Sequence, residues 1–284
     1  MLKLDEFESV FKAAAKERLE YEELAFRSAL VVTDLDAEGA RLYARDVKQF
    51  LRALGDELQC DVLSDQDFDN VGEVLEHVER RQPDLLVAFR NLKGRAKHFP
   101  FSLGAHVDVL AQATKTPILL LPLPTAESRL PESCSDTDSV MVLTDHLTGD
   151  SRLVNTGAAF TAKGGALTLT HLEDDAVFGR YMATIAKIPS IDTDNASEQI
   201  RKRLLKDPAD YVLSCKQALA VARPDLEIHG VIEMGHRVAQ CQRLSEAHDV
   251  DLLVINTKDD EQLAMHGLAY PLAVELRQLP LLLL

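Results

Sequence analysis

The sequence predicts an α/β protein built from two tandem, open, mostly parallel-sheet domains with an extra N-terminal helix. Short apolar runs recur in the same order in both halves, and helical stretches separate them. Runs of this length and composition are typical of strands buried on both faces, as in parallel sheets. The chain has 284 residues and 46% hydrophobic content, which is enough to give each of two domains its own core.

The repeat is visible as matched segments. Residues 30–34 (LVVTD) correspond to 141–145 (MVLTD), residues 84–87 (DLLV) to 251–254 (DLLV), and residues 117–120 (PILL) to 280–283 (PLLL). Self-similarity of this kind defines the architecture before any residue is given a role. Because ligands of open α/β sheets bind at the carboxyl ends of the strands, we expect functional residues just after these segments.

Each element of the two halves follows from its periodicity and its flanking residues. In the first half we predict strands at 28–34, 57–63, 84–90 and 117–122, and helices at 38–54, 70–81 and 103–113. In the second half we predict strands at 139–145, 166–171, 225–232, 251–256 and 280–284. The second-half helices are predicted at 150–163, within 175–222 with a capped start at Asp207-Pro208, and at 236–248 and 262–277. The first half therefore lacks one strand and helix pair.

Four segments result from this pattern. Residues 1–27 carry an apolar stripe that includes Leu4, Phe7 and Phe11, which predicts an amphipathic helix. We predict a first domain at 28–124 with four strands, a linker at 125–138, and a second domain at 139–284 with five strands. The N-terminal helix either docks on its own domain or forms a subunit contact, and the first alternative is favoured.

Composition disfavours several classes of protein. A formal net charge of −15 disfavours binding to nucleic acid and to anionic membranes. The four cysteines have no paired spacing, and His146, His236, His248 and His266 form no shared short-spaced motif with acids or cysteines, so we expect neither a metal site nor a disulfide framework. No apolar run reaches the length of a spanning helix or a signal core, so we expect a soluble cytoplasmic protein.

The loop after the third strand is the most suggestive polar site. Residues 90–98 (RNLKGRAKH) are basic, no acid occurs between Asp84 and Asp108, and Gly104 stands where a helix begins. A helix N-terminus offers free N–H groups, glycine allows close approach, and Lys or Arg adds charge, so an anion such as a phosphate can bind there. The alternative is an ordinary surface loop with solvated basic side chains.

These motifs resemble those of the universal stress protein family. The resemblance rests on a strand that ends in Thr-Asp, a later strand that runs into a glycine turn, nine intervening residues, and a second glycine that opens a helix. It spans residues 28–122 and 139–284 and implies a Rossmann-like fold. For ATP-binding members it also implies that the aspartate contacts adenosine and that the glycine motif surrounds the ribose and phosphates.

The resemblance assigns the candidate nucleotide site residue by residue. It comprises Thr33, Asp34, Asn91, Lys93, Gly94, Arg95, Gly104, Ala105 and Val107. Two of these depart from the family pattern: Asn91 replaces the first glycine, and Ala105 replaces a hydroxyl residue that donates to phosphate. Asparagine tolerates a left-handed backbone better than most residues. A missing hydrogen bond costs about 0.5–1.5 kcal/mol, so the site is expected to be weak.

The second half departs further from the pattern. Thr144 and Asp145 remain, but no glycine follows the strand, and residues 259–261 (DDE) would repel a triphosphate. Leu268 follows Gly267 where the family has a hydroxyl residue. We therefore expect a vestigial site at Thr144, Asp145 and Gly267, with no ATP bound.

Three functions remain open at this stage. The first is a non-enzymatic, stress-linked regulatory protein with at most one weak nucleotide site in the first domain and no certain cofactor. The second is a binder of ATP or AMP, or a slow ATPase, that uses the first-domain site. The third is a scaffold that acts through protein partners and whose closing strands, 118–121 and 281–284, pair within the chain as a pseudo-dimer or between subunits as a homodimer.

Overall fold

Nine strands in the described part of the chain form one continuous sheet. The computed structural model describes residues 17–94, 101–144, 146–257 and 269–284. The strands are β1 (Ser28–Val32), β2 (Gln59–Leu63), β3 (Leu85–Phe89), β4 (Ile118–Leu121), β5 (Ser139–Thr144), β6 (Ala166–Asp174), β7 (Glu227–Gly235), β8 (Leu252–Ile255) and β9 (Leu281–Leu283). Their spatial order is β2-β1-β3-β4-β9-β8-β5-β6-β7.

The described residues also form eight α-helices and one 3-10 turn at Arg52–Leu54. The helices are α1 (Ala37–Phe50), α2 (Val71–Arg81), α3 (Ala105–Ala113), α4 (Ser151–Phe160), α5 (Asp175–Ile185), α6 (Thr193–Ala222), α7 (Arg237–Ala247) and α8 (Ala269–Glu275). None of the described helices is both long enough and apolar enough to span a bilayer.

Neighbouring strands pair in parallel everywhere except between β4 and β9. That antiparallel pair aligns Ile118 with Leu283 and Leu120 with Leu281, and so joins the two repeats into a single sheet. Every residue of β3, β4, β8 and β9 is buried, as expected for inner strands covered on both faces. The predicted mostly parallel α/β fold with two tandem repeats is confirmed.

The strand that only the second half contains is β7, at one end of the sheet. It follows the helices α5 and α6, which accounts for the longer second half. Both β6 and β7 extend three residues beyond the predicted ends at 171 and 232, to Asp174 and Gly235. The carboxyl end of this part of the sheet therefore projects further than the sequence predicts.

The prediction of a helix through residue 27 is wrong for the described residues 17–27, which are irregular. Residues 1–16 lie outside the described part of the chain. Leu19 is buried, and its N–H donates to Ser214 Oγ at 3.0 Å, while the Glu20 N–H donates to Ser151 Oγ at 3.1 Å. Asn155 Nδ2 donates to the Glu20 carbonyl at 2.9 Å. These tertiary bonds to α4 and α6 take the place of a helical hydrogen-bond pattern.

The predicted helix start at Asp207-Pro208 is also wrong. Pro208 lies inside α6, which begins at Thr193 because the Asp192 side chain accepts the Asn195 N–H at 3.2 Å. Two ion pairs with (i, i+4) spacing support the helix around the proline; Arg203 pairs with Asp207 just before it, and Lys206 pairs with Asp210 across it.

Candidate nucleotide-binding site

The fold brings the two predicted parts of the first-half site together at the carboxyl edge of the sheet. Asp34 follows β1, and Lys93 lies in the loop that follows β3. The Lys93 N–H donates to Asp34 Oδ2 at 2.7 Å. The Asn91 N–H donates to the Leu103 carbonyl at 2.7 Å, which holds the loop against the segment before α3. Residues separated by about 60 positions in sequence thus form one structural unit.

Asn91 adopts the left-handed conformation that its place in the motif requires. Its φ is 57°, and its side-chain amide donates to the Ser102 carbonyl at 3.3 Å. Its own carbonyl accepts the Gly94 N–H at 2.7 Å, which closes a tight turn. Asparagine is among the few residues that adopt this conformation at low cost.

Gly104 is required by close packing as well as by its backbone. Its φ is 91°, and a Cβ atom there would lie 2.7 Å from Asn91 Cα. At Gly94 a Cβ atom would lie 2.9 Å from the Asn91 carbonyl oxygen. Both glycines therefore have a structural role in packing the loop on itself, whether or not an anion binds.

The Lys93 ammonium is occupied within the protein. Nζ lies 3.0 Å from Asp65 Oδ1 and 3.0 Å from the Asp65 carbonyl, and it also donates to the Phe68 carbonyl. It stands 4.5 Å from the centre of the Phe68 ring, and the side chain is only 17% exposed. Lys93 is thus directed to the loop after β2, where it has three partners and an aromatic face.

The start of α3 keeps one property of an anion site. Gly104 caps the helix without a side-chain hydrogen bond, so the first-turn N–H groups lack the partner that a side-chain cap provides. Ala105 is exposed beside them. His106 Nε2 is buried without a hydrogen-bond partner among the described residues, and burial together with the charge of Lys93 lowers the pKa of this ring.

Two other predicted residues have structural positions. The Thr33 hydroxyl accepts the Leu35 N–H at 3.1 Å, and this arrangement recurs in the second half, where the Thr144 hydroxyl accepts the His146 N–H at 3.0 Å. Val107 is fully buried in the core. Arg95, Asp145 and Gly267 lie outside the described residues.

The first residue after β8 in the second half forms a side-chain hydrogen bond with the start of α4. Asn256, which follows β8, donates through Nδ2 to Asp150 Oδ2 at 2.5 Å. Asp150 also caps α4 by accepting the Leu153 N–H at 2.9 Å. Asn256 corresponds to Phe89 of the first half, and the residues that correspond to the glycine turn lie outside the described part of the chain.

Arg90 is the first residue of the basic loop in the sequence, but its side chain points away from that loop towards the second half. It is 3% exposed, and its guanidinium donates to the Ala273 carbonyl and, at 3.0 Å, to the Leu276 carbonyl at the end of α8. Burial lowers its pKa to about 10. The prediction that Arg90 contributes to a basic anion loop is wrong, because it caps a helix of the other half. Its position at the end of a fully apolar strand was the available signal.

Comparison with known proteins supports the fold. No protein-family model and no curated protein matches this chain. The solved structure of a functionally unknown protein from Pseudomonas aeruginosa PAO1 matches with a TM-score of 0.51 and 15% identity, over 92% of each chain. A protein from Pseudomonas aeruginosa UCBPP-PA14, provisionally described as a universal stress protein, matches with a TM-score of 0.51 and 15% identity, over 92% of this chain and 93% of its own. The predicted resemblance is confirmed at the level of fold.

Proposed function

We propose that this chain is a non-enzymatic, stress-linked regulatory protein of the universal stress protein type that retains at most one weak nucleotide site, in its first half. One observation carries the proposal. Asp34, which by resemblance would contact adenosine, accepts the backbone N–H of Lys93, and the Lys93 ammonium is occupied by the loop after β2. The two charged groups of the motif that the structure describes, Asp34 and Lys93, therefore already have partners.

The energetic consequence is a large loss of affinity. A nucleotide that displaced the Lys93 N–H from Asp34 would break a hydrogen bond to a charged group, which is worth about 1.5–3 kcal/mol. Such a loss weakens binding by about ten- to a hundredfold. Ala105 lacks a hydroxyl, so it cannot form the hydrogen bond to phosphate that would offset part of this loss of binding free energy.

A second candidate function is binding of ATP or AMP at the same site. The start of α3 favours it, because Gly104 supplies no side-chain cap and the residues nearby in sequence are basic. In this case the first-turn N–H groups would bind phosphate, and regulation would follow nucleotide concentration.

Calorimetric titration with Mg²⁺-ATP at low salt distinguishes the two candidates when the wild type is compared with Ala105→Glu. Ala105 is exposed in the first turn of α3, where a carboxylate favours the helix yet repels phosphate. This variant is preferable to a substitution at Gly104, whose Cβ would collide with Asn91.

We expect no saturable heat up to about 1 mM nucleotide, corresponding to a binding free energy weaker than about −4 kcal/mol. Saturable binding of one nucleotide per chain that disappears in Ala105→Glu would replace our proposal with the second candidate. Tight binding that survives the substitution would contradict both, because it would lie elsewhere.

A further inference from the structure

The strand β7 ends the sheet of the described residues and presents a long edge with which no further described strand pairs. Within the described residues it pairs with β6 alone, along all nine of its residues. Natural edge strands are usually short or carry lysine or proline that prevents pairing with another chain. The sequence of β7 (EIHGVIEMG) contains neither, whereas β2 at the other end of the sheet has five residues.

The backbone groups that face away from β6 follow from the register. The Glu227 N–H donates to the Gly165 carbonyl, so the backbone groups of Glu227 point towards β6. Because the direction alternates along a strand, the outward backbone groups belong to the four even-numbered residues. These are Ile228, Gly230, Ile232 and Met234.

We propose that β7 pairs antiparallel with β7 of a second copy of this chain, about a two-fold axis through Val231. In this register Ile228 lies opposite Met234 of the copy, and Gly230 lies opposite Ile232. All four outward-facing residues of each strand then form hydrogen-bonded pairs. A two-fold interface needs a surface that is complementary to itself, and this strand satisfies that condition.

Charge selects the same register. His229 and Glu233 become directly opposed in the non-hydrogen-bonded positions, where side chains approach most closely. Both are available, with side-chain exposures of 39% and 36%. A shift of the axis to Gly230 would place Glu227 opposite Glu233, and a shift to Ile232 would place Glu233 opposite Val231. Either shift also leaves one of the four outward residues unpaired.

The ion pairs that His229 and Glu233 form within their own chain are compatible with a contact between His229 and Glu233 of the copy. Glu233 accepts from Arg243 at 2.6 Å, and His229 lies 3.4 Å from Glu227 and faces the His248 ring at 6.3 Å between centroids. A carboxylate accepts several hydrogen bonds, so Glu233 can bind Arg243 and the histidine of the copy together.

The connection between β6 and β7, which contains α5 and α6, exposes apolar surface that adds area to a contact between two copies. The helix α5 contacts β7 and buries none of its own residues. Tyr181 on this helix is 61% exposed, and the segment that follows exposes Ile188 and Ile191. Exposed apolar groups of this kind are typical of interaction surfaces.

Engineered cysteines test the register. In a Cys60→Ser background, which leaves only buried native thiols, Val231→Cys places two cysteines face to face on the axis, within disulfide distance. Glu227→Cys is the matched control: it is on the same strand and more exposed, but its counterpart would lie about 25 Å away. We expect oxidation to cross-link the first variant and not the second.

Light scattering of the full chain supplies the second measurement. We expect twice the mass of one chain, at least tenfold weaker association in His229→Glu, and recovery when Glu233→His is added. A monomeric mass at about 100 μM would overturn the proposal. Slow hydrogen exchange of the β7 amides in such a monomer would show that another part of the chain covers the edge, and it would not rescue the proposal. Equal cross-linking of both cysteine variants would likewise overturn it, as would a dimer that Tyr181→Asp dissociates while His229→Glu has no effect.

This inference is independent of the proposed function. Calorimetry with nucleotide tests the proposed function of the first half, whereas cross-linking and mass test the pairing of β7. Either proposal can therefore be contradicted while the other stands.

Discussion

Asp84 and Asp251 occupy the same position in the two repeats, immediately before β3 and β8. Asp84 Oδ2 accepts the N–H groups of Arg27 and Ser28 at 2.8 and 2.9 Å. Asp251 Oδ2 accepts the N–H of Ser139 at 2.8 Å. The repeat in the sequence is therefore reproduced as a repeated hydrogen bond that anchors the first strand of each half.

The environments of these two carboxyl groups nevertheless differ. Burial, together with the charges of Asp136 and Asp138, raises the pKa of Asp251 to about 6, although the hydrogen bond from the Ser139 N–H acts to lower it. Burial also acts to raise the pKa of Asp84, but the hydrogen bonds from Arg27 and Ser28 outweigh it and hold that pKa below its usual value. Equivalent residues thus have opposite effects on stability near neutral pH.

We predict opposite effects when each is replaced by asparagine. The folded state holds a proton on Asp251 more tightly than the unfolded state, so this stability is present below pH ~4 and is lost as pH rises towards about 6. Asp251→Asn should therefore raise the free energy of unfolding at pH 7.5 by about 1–2 kcal/mol, with little effect at pH 4. Asp84→Asn should lower it at pH 7.5, but only by about 0.5–1 kcal/mol, because Asp84 is exposed and solvent screens its charge.

Urea unfolding of both variants at the two pH values checks these predictions. The asparagine oxygen can still accept the strand N–H, so packing is preserved in each case. A loss of stability in Asp251→Asn at pH 7.5 as large as that in Asp84→Asn would contradict the difference in environment.

At the scale of elements, α8 depends on a residue of the other half. Arg90, at the end of β3, donates to the Ala273 carbonyl in the last turn of α8 and to that of Leu276. No acidic partner of the Arg90 charge is found among the described residues. The partial negative charge of a helix C-terminus stabilises a cation there, which explains how this guanidinium is buried. The contact joins the loop of the candidate site to the second half.

We predict that Arg90→Met lowers the free energy of unfolding by about 2–4 kcal/mol, because it leaves buried carbonyls without donors. Hydrogen exchange should accelerate in α8, which lies in the other half. Arg81→Met is the control, since Arg81 forms a surface ion pair with Asp61, and its effect should stay within about 0.5 kcal/mol. An unchanged α8 in Arg90→Met would show that the cap is dispensable.

At the scale of the whole molecule, the antiparallel pair β4–β9 makes the two repeats one sheet. Leu119 and Leu282 face each other across it, and both are fully buried. The core is accordingly a single cluster that extends through both halves. Separation of the halves would expose two strand edges and the apolar residues around them.

We therefore predict one cooperative unfolding transition for both halves. Leu282→Ala should cost about 2–5 kcal/mol by leaving a cavity, and it should accelerate hydrogen exchange in β1 as well as in β6. Scanning calorimetry of the wild type should give equal calorimetric and van't Hoff enthalpies. Two resolved transitions, or a change confined to the second half, would show that the repeats fold independently.

Much of this fold could be predicted from the sequence because its signals are local. Apolar runs such as 85–89 and 252–255 specify buried strands wherever they occur, and asparagine at 91 is compatible with a turn that needs positive φ. The contact between the end of β1 and the loop after β3 was also predictable, since parallel strands share an edge.

The sequence by itself determined the repeat, the order of elements, the parallel sheet and the approximate place of the candidate site. Only the tertiary structure decided where long polar side chains point: Arg90 to α8, Lys93 to the loop after β2, and Asp34 to a backbone N–H. The physical reason is that burial of an apolar run depends on its own composition and period. The partner of a polar group, in contrast, is chosen among atoms that the fold brings near from distant positions, as is the exposure of an edge such as β7.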